Sequence, residues 1–184
     1  MENKKILIGV SSGIAIYKIC GLVRLFVKNK NQVKVVMSEN ATKLISPLTF
    51  QSLSHSPVYF KMFEPESLTG LTHIELAQWA DLFILAPATA NTLGKIANGI
   101  GDNLLTTTIL ALPEKIPLII APAMNTNMWR NPFVQENIKK LKKRKNLFII
   151  GPTVGILAEG SQGEGRMVEV EEIFKLAKKI LLRK

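Results

Sequence analysis

The chain has 184 residues, 47% of them hydrophobic, with 24 Lys and Arg against 14 Asp and Glu, and one Cys. That length favours a single domain over residues 1–184 with a substantial core; no apolar run reaches the roughly 18 residues of a membrane span, and a lone Cys20 excludes an internal disulfide framework and fits a reducing cytoplasm. The net charge of +10 brings nucleic acid into consideration, but much of it sits in KKLKKRK and KLAKKILLRK, where a solvated helix face and tail explain it and no binding motif or aromatic platform accompanies it.

The opening MENKKILIGV is interrupted by polar SSG, so it reads as a first strand and turn and not as a secretory leader. KKILIGV is a short Ile- and Val-rich run that fits a buried parallel strand, and IAIYKICGLVRLFVK follows with helical spacing. QVKVVMS reads as a second strand. SPLTFQSLS reads as a short helix with Pro47 at its first position, and VYF as a short strand. THIELAQWA is a helix with Thr72 as its expected cap and Glu75 three residues on. DLFILAPA is a long strand, TANTLGKIANGI a helix ending near Gly99, and DNLLTTTILAL a helix with Asp102 as the expected cap. IPLIIAPA is a strand that gives way to a loop, PAMNTNMW. NPFVQENIKKLKK is a helix opened by Asn131 and Pro132, and NLFIIGPT a strand. GILAEGSQGEGRM reads as a Gly-rich loop, and EVEEIFKLAKKILLRK as the closing helix. This alternation predicts an α/β fold: a three-layer, Rossmann-like (flavodoxin-like) parallel sheet with helices on both faces. Ligands are then expected outside the carboxyl ends of the strands.

Those strand ends carry the candidate chemistry. GVSSGIA lets backbone N–H groups approach an anion at a helix start, although a plain tight turn explains it equally well; it is neither GxGxxG nor a Walker loop. Ser38 by itself reads as a cap before it reads as a phosphate ligand. Thr89, Asn91 and Thr92 exceed the single cap that a helix needs, which favours a polar ligand. PAMNTNMW places two amides among Met and Trp, and a buried amide is costly unless hydrogen-bonded. Of the two histidines, His55 reads as exposed, and His73, at a helix start, on its own reads as structural or exposed. No HxH, HExxH or CxxC spacing points to a metal.

GVSSGIAIYK, HIELAQWADLFILAPATANTLGKIANGIGDNLLT, PAMNTNMW and GEGRM, in this order and spacing, resemble the flavin-dependent cysteine decarboxylases, and among them the phosphopantothenoylcysteine decarboxylases of coenzyme A biosynthesis. The likeness covers nearly the whole chain, and PAMNTNMW matches that family's PxMNxxMW at every fixed position. Flavin prenyltransferases share the fold and part of ANTLGKIANGI, but lack the His and the PxMNxxMW loop. In many bacteria such a domain is the N-terminal part of a bifunctional decarboxylase/synthetase.

The resemblance implies FMN bound between subunits of a trimer or of a dodecamer built from trimers. It implies cofactor contacts from Ser12, Gly13 and Ile14, from Ser38 at the phosphate, from Thr89, Ala90, Asn91 and Thr92, and from Ala123. It makes His73 the catalytic histidine and Asn125 the amide that holds the substrate carboxylate, with Met128 in the same loop. The implied chemistry converts phosphopantothenoylcysteine through a thioaldehyde and an enethiolate to 4′-phosphopantetheine: cysteine has no electron sink, and a C=S group β to the carboxylate provides one. Two departures stand out. An aromatic residue common at the position of Leu44 is absent, and Glu159 occupies the place where coenzyme A enzymes usually carry a proton-donating Cys. Glu159 is then the acid, if burial raises its pKa, or another donor or water serves, or reduction stops at the enethiol as in the peptidyl-cysteine decarboxylases of lantibiotic synthesis. A non-catalytic regulatory flavoprotein is the remaining alternative.

Overall fold

The apolar run after Lys5 becomes β1, Lys5–Val10, in which every residue after the first is buried. This computed structural model describes residues 1–63 and 71–182. β2, Gln32–Met37, lies parallel to β1 in register Lys5 to Gln32 through Val10 to Met37. β3, Val58–Tyr59, β4, Leu82–Ala88, β5, Leu118–Pro122, and β6, Leu147–Ile149, complete a six-stranded parallel sheet of order β3-β2-β1-β4-β5-β6. Parallel strands need crossovers, and right-handed helical crossovers cover both faces.

Alternation along β1 divides the core. Ile6, Ile8 and Val10 pack on one face with α1, Ile16–Lys28, and α8, Val170–Leu182. Leu7 belongs to the other, with buried residues of α3, Thr72–Trp79, α4, Ala90–Ala97, α5, Leu104–Leu110, and α7, Pro132–Leu141. α1 buries Ile16, Ile19, Leu22, Val23 and Phe26, the stripe its helical spacing requires. α2, Pro47–Ser54, starts as expected, with Ser46 accepting from Leu48 N–H and Pro47 opening the helix.

Four local expectations are corrected. α5 is capped by Asn103, whose side chain accepts from Thr106 N–H; Asp102 instead pairs with Lys95 at 2.5 Å. The N-cap of α3 is Leu71, and Thr72 lies inside the helix, so the Thr72–Glu75 capping box does not form. PAMNTNMW is not all loop: Thr126–Arg130 forms a short helix, α6, capped by Asn125. The Gly-rich stretch is an antiparallel hairpin of β7, Thr153–Ile156, and β8, Gln162–Arg166, separate from the main sheet. The expected closing helix runs on to residues 183–184, which lie outside the described residues.

The glycines of β8 explain why this hairpin packs where it does. A Cβ on Gly163 would collide with the Thr126 hydroxyl, and one on Gly165 with the Met124 carbonyl oxygen. Gly165 also has φ of +148°, which side-chain-bearing residues rarely adopt. β8 can therefore lie flat on the β5–α6 junction, where Met124 N–H donates to the Gly165 carbonyl at 3.0 Å. A loop-forming composition thus serves close backbone contact.

Candidate active site

The sheet order changes direction between β1 and β4, and parallel α/β sheets open a ligand crevice at such a point. Here the crevice is a cavity of about 600 Å³. Its wall is built from the turn after β1 (Ser12, Gly13, Ile14), the turn after β4 (Thr89, Asn91), the β5–α6 junction (Ala123, Asn125, Met128) and the β7–β8 turn (Glu159). The sequence singled out each of these residues.

Ser11, which it did not single out, stitches two of these turns together. It is fully buried; its hydroxyl donates to the Pro87 carbonyl at 2.6 Å and accepts from Thr89 N–H at 3.0 Å. Thr89 in turn caps α4, its hydroxyl accepting from Thr92 N–H at 3.4 Å. The surplus of polar groups there is partly structural: Thr92 is buried and bonded to Thr89, and neither Thr92 nor Ala90 lines the cavity.

Ser38 follows β2, and its N–H donates to the Val10 carbonyl at 2.9 Å, which brings it beside the end of β1. The cap reading fails, because its side chain makes no capping hydrogen bond to the short 3-10 turn Glu39–Lys43. Its hydroxyl is buried without a partner. A buried polar atom in that state is costly unless a ligand or water completes it. His73 lies half-buried in the first turn of α3 and, like Ser38, is not part of the cavity wall. Leu44 is 47% exposed.

Asn125 carries the clearest chemistry. Its side-chain oxygen accepts from Asn127 N–H at 2.8 Å and caps α6. That bond commits the oxygen and turns Nδ2 towards Glu159, whose carboxylate it contacts. Glu159 also accepts from the Ser161 hydroxyl at 3.1 Å. Burial does not win at Glu159: the side chain is exposed, and its own backbone N–H, with help from Asn125 and Ser161, holds the carboxyl below its usual range against the smaller upward pull of desolvation. Glu159 is therefore ionised at neutral pH, and the reading of it as a burial-raised acid does not survive.

Two cations of the wall were also missed. Lys18 donates to both Glu169 oxygens, at 2.9 and 3.1 Å, and Arg166 pairs with the same carboxylate at 2.6 Å. Only 13% of the Lys18 side chain is exposed. A lysine on an otherwise apolar helix stripe was the available signal. Among the described residues no cluster of His, Cys, Asp and Glu could hold a metal ion, and no helix is long and apolar enough to cross a membrane.

A sequence profile described as flavoprotein matches residues 1–182. The coenzyme A biosynthesis bifunctional protein CoaBC of Bacillus subtilis (strain 168) is 48% identical over 179 residues, which are 97% of this chain and 43% of that protein. The chain thus spans less than half the length of this relative. A probable phosphopantothenoylcysteine decarboxylase of Streptococcus mutans serotype c is 44% identical over 173 residues, 94% of this chain and 96% of that one. Among solved structures, a PPC decarboxylase mutant complexed with pantothenoylaminoethenethiol superposes with a TM-score of 0.85 at 32% identity, covering 97% of this chain and 98% of the other.

Proposed function

The chain belongs to the flavoprotein family, and from that premise we propose that it is an FMN-dependent phosphopantothenoylcysteine decarboxylase, with residues 1–184 forming one flavoprotein decarboxylase domain that acts in the cytoplasm. The observation that carries this reading is the Asn125 amide, which is locked by its capping bond and presents an N–H donor to a carboxylate inside the cavity.

The residues present fit FMN. Ser12, Gly13 and Ile14 offer a small-residue turn on the cavity wall, where Gly13 packs close to Pro87 and Thr89. Thr89, Asn91 and Ala123 continue that wall, and the unpartnered Ser38 hydroxyl at the neighbouring strand end suits a phosphate oxygen. When bound, FMN supplies the oxidation of the carbon bearing sulfur and the return of those electrons.

The chain's own part is positioning. Asn125 Nδ2 donates to the substrate carboxylate, and Met124 and Met128 keep that end of the cavity apolar, where a hydrogen bond gains strength. A carboxylate with little water around it is more readily expelled as CO2. His73 is the candidate acid–base group near the substrate thiol. Because it lies off the cavity of a single chain, this role requires a second copy, as in a trimer. Ile14, Tyr17 and Ile156 line the cavity and are themselves 61–72% exposed, an apolar surface suited to such contact.

The test is product mass after anaerobic incubation of the FMN-loaded protein with phosphopantothenoylcysteine. Loss of CO2 alone, giving 4′-phosphopantetheine, is expected; recovery of unchanged substrate removes the proposal. Loss of CO2 together with two hydrogens marks an enethiol product. Because Glu159 is held in its carboxylate form, loss of CO2 alone would mean that another group or water donates the proton.

A further inference from the structure

The Glu159–Asn125 contact does little for the fold. It joins the exposed tip of the hairpin to the cavity wall, and the hairpin is already held through its glycines and the Met124–Gly165 bond. Glu159 is exposed, so its side chain can leave at little cost in packing. Asn125 cannot turn its amide to follow, because the oxygen caps α6. The Nδ2 group has two hydrogens, but two carboxylates on one neutral nitrogen repel each other, so exchange is favoured over sharing.

We propose that Glu159 is an internal competitor for the substrate carboxylate: the substrate displaces it from Asn125 Nδ2 on binding, and it returns to that nitrogen once CO2 has left. The idea rests on the substrate reading above. It makes Glu159 a specificity-determining residue. A ligand without a carboxylate cannot take the amide from it, and a decarboxylated product meets a cavity whose amide is claimed again. The low pKa of Glu159 keeps the competitor charged throughout the neutral range.

The test is calorimetric titration of the FMN-loaded protein with two unreactive probes. One is the substrate analogue with serine in place of cysteine, which keeps the carboxylate and lacks the thiol. The other is the same analogue without its carboxylate. Glu159→Ala is expected to bind the first probe at least about threefold more tightly than the wild type and the second probe unchanged. Glu159→Gln, which keeps the side-chain length and can still accept from Asn125, is expected to fall between them. Glu164→Gln removes a neighbouring charge from β8 and is expected to change neither. Equal tightening by Glu159→Ala and Glu164→Gln reduces the effect to long-range charge and overturns the proposal. So does tightening of both probes alike, or no tightening. If neither probe binds any variant, the substrate reading falls instead. The Asn125 side-chain amide resonance then decides: a shift between wild type and Glu159→Ala upholds the internal contact, and an identical resonance overturns it.

Discussion

At the scale of single residues, the site turns on one amide with two committed atoms. Asn125 uses its oxygen to cap α6 and its nitrogen to hold a carboxylate. Asn125→Ala removes both bonds. The variant is expected to keep its flavin absorbance and to lose decarboxylation by about a hundredfold or more, as removal of a positioned donor does in other acyl-group sites. Retained turnover would take Asn125 out of the chemistry. Glu159→Cys places a thiol where the family resemblance leads one to expect it, and the share of fully reduced product is expected to rise. An unchanged product ratio, read by mass, would mean that residue 159 does not face the reacting carbon. Two amides among Met and Trp raised the question in the sequence, and the match of PAMNTNMW to PxMNxxMW is what pointed to Asn125. The exposure of Glu159 was not legible, because it depends on a turn whose geometry comes from hairpin pairing.

At the scale of elements, the hairpin is the part that composition misrepresents. Its glycines look like loop punctuation, yet Gly163 and Gly165 are there because α6 and the Met124 carbonyl lie against them. Gly165→Ala is expected to cost about 1–3 kcal/mol through backbone strain, read as a lower denaturant midpoint, with faster amide exchange concentrated in β7 and β8. A local loss confined to other elements would contradict the packing described. A second junction joins α1, β8 and the residue before α8. Glu169 is held below the usual carboxylate range, first by Lys18 and also by Arg166. A depressed carboxyl contributes stability that is complete above its ordinary pKa and is lost as pH falls through the lowered value. Stability of the wild type is therefore expected to drop on acidification more than that of Glu169→Gln. Parallel acid limbs would show that this junction adds nothing.

At the scale of the whole molecule, the cavity wall and His73 belong to different parts of one chain. Ser12, Asn125 and Glu159 share the wall, and His73 starts α3 away from it. If neighbouring copies complete each other's sites, a mixture of His73→Ala and Asn125→Ala chains, unfolded and refolded together, is expected to recover about a quarter or less of wild-type activity, because some sites then draw both intact residues. No recovery, with the mixed assembly verified by mass, would place His73 and Asn125 within a single-chain site or outside the reaction. The sequence by itself determined the alternation of strand and helix, the parallel sheet, the ligand end of the strands and the polar turns that surround it. Those follow from periodicity and from local turn chemistry, which act over a few residues. Only the tertiary structure decided that Ser11 bridges β1 and β4 and that Ser38 is buried without a partner. It also decided that Glu159 rests on Asn125. Each of these depends on which distant segments meet, through contacts across 34 to 78 residues in the bonded cases. Burial and proton affinity are set by those neighbours and not by the residue's own place in the chain.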